Sequence, residues 1–355
     1  MKNYDRQFLI DSVALLQRKR ASHMGAHQYV NHGAMRGDFP MSGTLGWQRY
    51  EHECPSYYVL KCEKALIDQL VGELPDHLEQ GTSLIDLGVG TLEAVETKSL
   101  EIARALNSDT YVPIDTSLQF CSEAAGVIQK VLPQTKIRPS VENFFSDDVD
   151  AALDVPALGF LGGITIANIE APLSKGKPTE ELIRSLKNLG RIVGGGWLLL
   201  STDANQNAAE NKAMYSENGL FEINTFDRMA HELPMTGLDP TGIVYDPVWI
   251  KESGQLAHTG VAIKDMTVKV NAPEFGGVIE IKKGDRFHLK NSFKYTDDYF
   301  LSCARQAGYT PMKVWRHPQK PLHMFLLKAP AMELSARHQL VAQQGQKASD
   351  LRLET

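Results

Sequence analysis

The chain has 355 residues, of which 43% are hydrophobic and 23% charged, and its formal net charge is -6 at pH 7. This composition is typical of a globular protein and carries no signature of disorder. The small negative charge argues against a nucleic-acid partner. The longest apolar stretch, residues 192–201, is too short to cross a bilayer, and the N-terminal residues lack the apolar run of a secretory signal. We therefore expect a cytoplasmic protein that binds neither membranes nor nucleic acids.

The cysteines and histidines predict no metal site. The cysteines lack CxxC spacing, and we interpret them as reduced thiols: Cys54, Cys62, Cys121 and Cys303. Three histidines lie close together, at His23, His27 and His32. No carboxylate follows them before Asp38, so surface histidines fit this segment better than metal ligands do.

The N-terminal part of the chain predicts two helices separated by an irregular segment. Apolar positions at helical spacing predict a helix over residues 5–20, whose last turn carries the basic run Arg18–Arg20. Residues 21–56 are rich in glycine, histidine and methionine without periodicity, and a second helix is predicted over 58–74. We expect residues 1–57 to form a segment that covers the functional site.

A repeating strand–helix pattern follows. Short apolar runs predict five strands, at residues 83–87, 110–114, 137–141, 157–161 and 197–201. Helical patterns lie between them, at residues 92–106, 117–131 and 179–189. Strands that alternate with helices of about 10–15 residues predict a doubly wound parallel sheet of the α/β class.

The pattern changes after Asp203. Residues 206–233 read as helical, and β-rich stretches follow at 260–270, 278–281 and 286–292. A helix then returns at 296–307, and two closely spaced strands, 312–316 and 323–328, predict an antiparallel hairpin. We therefore expect a core formed by residues 58–205 and 294–330, an inserted α+β substrate-binding domain over 206–293, and a terminal helix or tail over 331–355.

A glycine turn follows the first strand of the pattern. Gly88 and Gly90 let the backbone approach a nucleotide-sized ligand at the carboxyl end of the sheet, although paired glycines also occur for packing alone. The third glycine of a dinucleotide fingerprint is replaced by Glu93, an acid near a helix N-terminus where a pyrophosphate would bind. A cationic sulfonium ligand without phosphate suits this turn better.

An acid ends the second strand. Asp115 stands where a carboxylate can accept both ribose hydroxyls of an adenosine. Alternatively it caps the helix that begins near Ser117, and the two interpretations are compatible. A parallel sheet with a terminal antiparallel hairpin is typical of class I methyltransferases and unlike the six parallel strands of a dinucleotide dehydrogenase.

Motifs spread over most of residues 55–330 carry a family resemblance. The matching stretches are Pro55–Tyr58, Leu84–Thr91, Tyr111–Ser117, Phe160–Asn168, Leu198–Asp203, Tyr215 and Asn291–Tyr295. In their order and spacing the chain resembles the histidine Nα-methyltransferase family of ergothioneine biosynthesis, which includes fungal tryptophan and dimethylallyltryptophan N-methyltransferases. The resemblance implies a class I methyltransferase fold with an inserted domain, S-adenosylmethionine as cofactor, S-adenosylhomocysteine as product and an amino-acid-like substrate.

The resemblance also implies site residues. Asn168 and Tyr215 are expected to hold the substrate's amino and carboxylate groups and to act as the catalytic residues, with Tyr57 and the backbone of Gly162 adding contacts. The cofactor is expected to contact Gly88, Gly90, Thr91, Asp115, Thr116, Asn143 and Phe144. The structural alternatives are a helix N-cap for Asn168 and interface aromatics with solvated hydroxyls for the two tyrosines.

Three departures from the family pattern concern the ligands. The family's acid after the third strand is replaced by Asn143, whose carbonyl can still accept from an adenine amino group, and the lysine that follows the glycine turn is absent. The glutamate that reads histidine's imidazole aligns with Lys290, while the serine two positions on is kept as Ser292. Histidine is therefore not the expected substrate.

Strand alternation leads to a hypothesis about the acceptor. If residues 286–292 are extended, one face carries Arg286, His288, Lys290 and Ser292. Such a basic wall would favour an acceptor with an acidic or hydrogen-bond-accepting side group. Alternatively Lys290 turns to solvent or pairs with an acid such as Glu280 or Asp285.

The sequence thus predicts an S-adenosylmethionine-dependent N-methyltransferase of a small amino acid or derived metabolite, in secondary metabolism. Three other functions stay open: an O-methyltransferase, a nicotinamide-dependent oxidoreductase, and a non-catalytic protein that binds S-adenosylmethionine. We expect a monomer or homodimer.

Overall fold

A computed structural model describes residues 5–18, 54, 56–145, 149, 156–169, 171–173, 176–217, 219–272 and 275–331. The clustered histidines His23, His27 and His32 lie outside the described residues, as do most of the irregular segment and the tail after residue 331. The chain divides into two compact units. The sheet unit comprises the described residues of Val59–Ile166, Thr179–Ala204 and Tyr295–Thr355, and the mixed unit those of Met1–Tyr58, Ala167–Pro178 and Asn205–Lys294.

Strands and helices of the described residues are numbered in chain order. The strands are β1 (Leu84–Leu87), β2 (Thr110–Asp115), β3 (Lys136–Ile137), β4 (Ser140–Val141), β5 (Leu158–Leu161), β6 (Trp197–Asp203), β7 (Met235–Thr236), β8 (Ile243–Tyr245), β9 (Val248–Ile250), β10 (Gln255–Ala262), β11 (Met266–Val270), β12 (Gly277–Ile281), β13 (Arg286–Phe293), β14 (Thr310–Arg316) and β15 (Leu322–Lys328). The helices are α1 (Arg6–Leu16), α2 (Val59–Leu70), α3 (Leu92–Ala94), α4 (Leu100–Leu106), α5 (Leu118–Val131), α6 (Thr179–Ile192), α7 (Ala208–Ser216), α8 (Gly219–Glu222), α9 (Asn224–Glu232) and α10 (Asp297–Gln306). A π-helical turn, Val95–Ser99, joins α3 to α4, and Thr165–Asn168 forms a short 3-10 helix.

The sheet unit is built on one eight-stranded sheet. Its strand order is β14-β15-β6-β5-β1-β2-β3, and β4 also pairs with β2. The central pairs are parallel, while β15 runs antiparallel to both β6 and β14. β1 and β5 are buried along their whole length, as expected for parallel strands covered on both faces. The predicted class I methyltransferase arrangement is confirmed.

Two local features differ between the prediction from the sequence and the structure. The third predicted strand divides into β3 and β4, because Pro139 lies between them and has no N–H to donate to the ladder. The N-terminal helix ends at Leu16, so Arg18 does not belong to its last turn. Arg18 instead has a φ of 60° and binds Asp285, with 2.7 Å between Nη1 and Oδ2.

The mixed unit contains two smaller antiparallel sheets. β10 is the centre of the first, where it pairs with β13, β8 and β9, and the second has the order β12-β11-β7. Both contribute to an apolar core that also includes α1 and α9. The predicted helical stretch 206–233 is divided into α7, α8 and α9, and the predicted strand 260–270 belongs to β10 and β11. The predicted limits of the inserted domain remain a prediction.

A β-bulge changes which residues of β13 share a face. His258 pairs with Lys290 but the next residue of β10, Thr259, pairs with His288, so β13 contains an extra residue at Leu289. The expected common face of Arg286, His288, Lys290 and Ser292 is therefore wrong. His288 contacts Asn291, with 2.7 Å between Nε2 and Oδ1, whereas Lys290 contacts the ring of Phe221 in α8.

Candidate active site

The glycine turn of the sheet unit has the backbone form that the sequence predicts. Gly88 and Gly90 have φ values of 77° and 71°, which favour glycine over other residues. A Cβ added at Gly88 would meet the Phe144 ring at 3.3 Å, so this ring lies against the turn. Thr91 is buried and caps α3, its hydroxyl accepting from the Ala94 N–H at 3.3 Å.

Asp115 lies at the carboxyl end of β2, in the same part of the sheet. Its half-buried carboxylate accepts backbone N–H groups from Ser117, at 2.9 Å, and from Gly90. Burial raises the pKa of Asp115 to about 6, although these N–H donors oppose the shift. Because the Ser117 hydroxyl caps α5 itself, Asp115 is not that helix's N-cap, and its carboxylate keeps acceptor capacity for a ligand.

The other predicted cofactor residues flank this region. Thr116 is exposed beside Asp115. Asn143 uses its side-chain carbonyl to accept from the Phe145 N–H at 3.1 Å, a local turn that fixes the Asn143–Phe144 pair. The structure thus brings the glycine turn, Asp115 and Phe144 together.

A buried ion pair lies below the Gly162 turn, and sequence reasoning missed it. Lys98 Nζ is 2.8 Å from Glu63 Oε2, and the two side chains are 6% and 0% exposed. Glu63 Oε1 also accepts from the Gly163 N–H, at 2.6 Å, and from the Ser201 hydroxyl. Glu63 lies among the buried apolar residues of α2. A charged residue at such a position in the sequence could have indicated a buried ion pair.

The same network supports a strained turn after β5. Ile164 has a φ of 51°, which is a genuine outlier for a β-branched residue. Its N–H donates to Ser201 Oγ at 3.0 Å, next to the Gly163–Glu63 bond. Gly162 itself is buried, and a Cβ there would lie 3.0 Å from the Phe160 ring. Unusual backbone of this kind persists only where surrounding contacts hold it.

In the mixed unit, the predicted substrate residues Tyr57, Tyr215 and Ser292 meet directly. The Tyr215 hydroxyl and Ser292 Oγ are 2.9 Å apart, and Lys294 Nζ lies 3.5 Å from the same hydroxyl. The rings of Tyr57 and Tyr215 contact edge to face, with their centroids 6.2 Å apart. Both tyrosines are buried, so the alternative of a solvated hydroxyl does not describe Tyr215.

Lys290 belongs to a second buried ion pair. Its Nζ is 2.8 Å from Glu222 Oε2, with side-chain exposures of 7% and 1%. The partner is thus an acid of α8, and neither Glu280 nor Asp285, so Lys290 does not present an uncompensated positive charge. Burial opposes ionisation of Glu222, but Lys290 and His258 outweigh it and lower the pKa of this carboxyl to about 2.

His258 completes this cluster, and no pattern in the sequence singles it out. Its Nδ1 lies 2.8 Å from the Tyr245 hydroxyl and 3.3 Å from Glu222 Oε2. Its ring contacts Tyr215 edge-on, with 4.7 Å between centroids. Burial lowers the pKa of His258 to about 4, even though Glu222 opposes the shift, so the imidazole is neutral at pH 7.

Asn168 ends the short 3-10 helix, so the expected N-cap alternative does not apply. The chain after it is tied to β13 of the mixed unit. Asn291 Nδ2 donates to the carbonyls of Ile169, at 3.2 Å, and Ala171, at 2.9 Å. Gln255 Nε2 donates to Asn291 Oδ1 at 2.7 Å, so the amide that holds this segment is itself held. The segment that directly follows Asn168 is therefore attached to β13, the strand that carries Lys290 and Ser292.

The described residues include no group of three or more histidine, cysteine, aspartate or glutamate side chains placed to hold a metal ion. Among the same residues, no helix is long and apolar enough to cross a membrane.

The sheet topology and the site at its carboxyl edge define a class I, S-adenosylmethionine-dependent methyltransferase. A family described as histidine-specific, S-adenosylmethionine-dependent methyltransferases matches residues 42–329. The chain belongs to this family, and the resemblance seen in the sequence is confirmed. The residues at the sheet edge fit the cofactor: an open glycine turn, an acid with free acceptor capacity and an apolar ring.

Individual relatives and solved structures share only low sequence identity with this chain. The chain is 27% identical over 299 residues to the uncharacterized protein y4iF of Sinorhizobium fredii, covering 77% of this chain and 95% of that one. An S-adenosylmethionine-dependent methyltransferase of Clostridium acetobutylicum is 10% identical with a TM-score of 0.42, covering 80% of this chain and 97% of that one. Magnesium protoporphyrin IX methyltransferase of Synechocystis is 12% identical with a TM-score of 0.41, covering 80% and 93%. The family assignment rests on the family match and not on these two structures.

Proposed function

We propose that the protein transfers a methyl group from S-adenosylmethionine to a nitrogen of a small amino acid or amino-acid-derived metabolite other than histidine. The observation that carries the proposal is the buried group of Tyr215, Ser292 and Lys294. The Tyr215 hydroxyl lies within hydrogen-bonding reach of both the Ser292 hydroxyl and the Lys294 ammonium, and a group of this kind suits the carboxylate of an amino acid. Asn168, on the segment held by Asn291, supplies an amide for the amino group.

Histidine is excluded in this proposal because of the Glu222–Lys290 pair. Lys290 stands where the resemblance expects a glutamate that reads an imidazole, and the carboxylate nearby, Glu222, is already bound by Lys290 and close to His258. A substrate imidazole would find no carboxylate acceptor without breaking a buried pair, which costs several kcal/mol. The same pairing removes the basis for expecting an acidic side group.

The cofactor is proposed to lie on the glycine turn of the sheet unit. Asp115 would accept the ribose hydroxyls, Gly88 and Gly90 would allow close backbone approach, and Phe144 would pack on the adenine. Thr91 acts chiefly through its cap of α3, and Thr116 and Asn143 border the site.

The chemistry requires alignment and an unprotonated amine. S-adenosylmethionine supplies an electrophilic methyl group, so no covalent intermediate on the protein is needed. An α-amino group with a pKa of roughly 8–10 costs about 1–4 kcal/mol to deprotonate at pH 7. An Asn168 carbonyl that accepts one amine hydrogen would aim the nitrogen lone pair, and Tyr215 would orient the acceptor through its carboxylate.

The test is to incubate the protein with labelled donor and a mixture of amino acids and amino-acid-derived metabolites, and to locate the label by mass spectrometry. We expect label on an amine nitrogen of an acceptor other than histidine. Tyr215→Phe should lower the yield with that acceptor, while Tyr299→Phe, a tyrosine of the sheet unit bonded to Thr179, should not. Label on a carboxylate or hydroxyl oxygen, or on histidine in preference to other amino acids, would refute the proposal.

A further inference from the structure

We propose that His258 occupies the space beside Tyr215 that the side group of a large acceptor would need, and that it thereby selects acceptors with a compact side group. The inference rests on the proposed function, because it takes Tyr215 as the group that holds the acceptor. It concerns residues of the mixed unit alone.

The position of the imidazole carries the inference. The His258 ring stands edge-on to the Tyr215 ring, with 4.7 Å between centroids and an interplanar angle of 85°. The Tyr245 ring flanks it on another side, with 5.9 Å between centroids. An acceptor held at Tyr215 therefore meets a protein imidazole where its own side group would extend toward β10.

The His258 ring is held by its contacts, and moving it would cost free energy. Its Nδ1 lies 2.8 Å from the Tyr245 hydroxyl and 3.3 Å from Glu222 Oε2, and the side chain is 1% exposed. Across the sheet, His258 is the register partner of Lys290, whose ammonium also binds Glu222. Swinging the ring aside would break these contacts and uncover buried charge.

Charge pairing also disfavours a charged side group. The titratable and charged groups around the ring are Glu222, Lys290, Lys294, Tyr215 and Tyr245. Glu222 and Lys290 neutralise each other, and Lys294 is the ammonium proposed for the acceptor's carboxylate, so none of these charges is offered to a charged side group. A steric role also agrees with the low basicity of this imidazole, which makes it a poor proton acceptor at neutral pH.

The first test is the acceptor profile of the wild-type holoenzyme, which needs no variant. Glycine, alanine and serine should be methylated with kcat/KM values at least about tenfold above those of phenylalanine, histidine and lysine, the discrimination expected of a filled pocket. Equal rates for large and small acceptors would overturn this inference and leave the proposed function standing. If no amine of an amino acid or an amino-acid-derived metabolite is methylated, the proposed function and this inference both fail.

The second test removes the imidazole ring of His258 by substitution. His258→Ala and His258→Gly should narrow or reverse the preference for small acceptors, whereas Tyr245→Phe removes a hydroxyl contact of the imidazole without opening the site and should keep it. A readout independent of activity is the melting temperature with added imidazole. Imidazole should bind the vacated space and raise the melting temperature of His258→Gly but not of the wild type. An unchanged acceptor preference in a folded His258→Ala variant, with no response of His258→Gly to imidazole, would overturn the inference.

Discussion

The two buried ion pairs have the same length and similar burial but differ in their surroundings. Glu63 and Lys98 in the sheet unit, and Glu222 and Lys290 in the mixed unit, each lie 2.8 Å apart with less than a tenth of either side chain exposed. Glu63 also binds the Gly163 N–H and the Ser201 hydroxyl, so backbone geometry depends on it. Glu222 instead lies beside the neutral imidazole of His258, so one pair supports a backbone turn and the other borders the proposed acceptor site.

The largest effect is expected at Glu63. Removing one partner of a buried pair costs about 3–5 kcal/mol, and leaving the Gly163 N–H without an acceptor adds about 1–3 kcal/mol. Glu63→Ala should therefore lower the free energy of unfolding by more than Glu222→Ala does, as measured by urea denaturation. Asp68→Ala, which breaks the exposed pair with Lys64, is the matched control and should cost under about 1 kcal/mol. Equal costs for Glu63→Ala and Glu222→Ala would remove the distinction between the two pairs.

The free energy of unfolding should depend on pH because the imidazole of His258 is buried in its neutral form. The pKa of His258 is lowered from 6.5 to about 4 in the folded state, so the unfolded chain binds a proton first as the pH falls. The contribution of His258 to the free energy of unfolding should be complete above pH 6.5, and about 3 kcal/mol of it should be lost as the pH falls toward 4. Glu222, with its pKa lowered from 4.5 to about 2, adds a separate decline below pH 4.5.

Denaturation of the wild type and His258→Gln between pH 7 and 2 separates these two contributions. The variant should lose the decline between pH 6.5 and 4 and keep, below pH 4.5, the part of the Glu222 decline that Lys290 causes. A wild type whose free energy of unfolding is flat between pH 6.5 and 4 would contradict the assignment of a buried neutral imidazole.

A smaller effect is expected for donor binding at the sheet edge. Asp115→Ala should weaken binding of S-adenosylmethionine and S-adenosylhomocysteine by roughly 2 kcal/mol, about thirtyfold in Kd, because a charge-assisted bond is lost. Since the pKa of Asp115 is raised to about 6, wild-type donor affinity should also fall as the pH drops through 6. Calorimetric titration measures both. Asp109→Ala, at an exposed acid near the opposite end of β2, should change neither.

The sheet unit was largely predictable because its signals are local. A short apolar run, two glycines and an acid at the next strand end are each read from a few adjacent residues. Thr110–Asp115 and the terminal hairpin were predicted within two residues of their observed limits. Pro139 was the local signal overlooked when β3 and β4 were read as one strand.

The mixed unit was less predictable because its chemistry depends on distant residues. Glu222 comes from α8, His258 from β10 and Lys290 from β13, and no spacing in the sequence joins them. The bulge at Leu289 reverses the faces on which the basic-wall hypothesis depended, and bulges have no reliable pattern in a strand. Lys290 was singled out in the sequence as a departure from the family pattern, but its partner, Glu222, lies far from it along the chain.

The central claim is that Asp115 serves the donor while Asn168 and Tyr215 serve the acceptor. The most direct measurement is the Kd of S-adenosylhomocysteine for Asn168→Ala, taken by calorimetry beside the KM of the acceptor identified by labelling. We expect a donor Kd within about twofold of wild type and a raised acceptor KM or lowered kcat. A loss of donor affinity as large as that of Asp115→Ala would place Asn168 in the cofactor site and contradict the account.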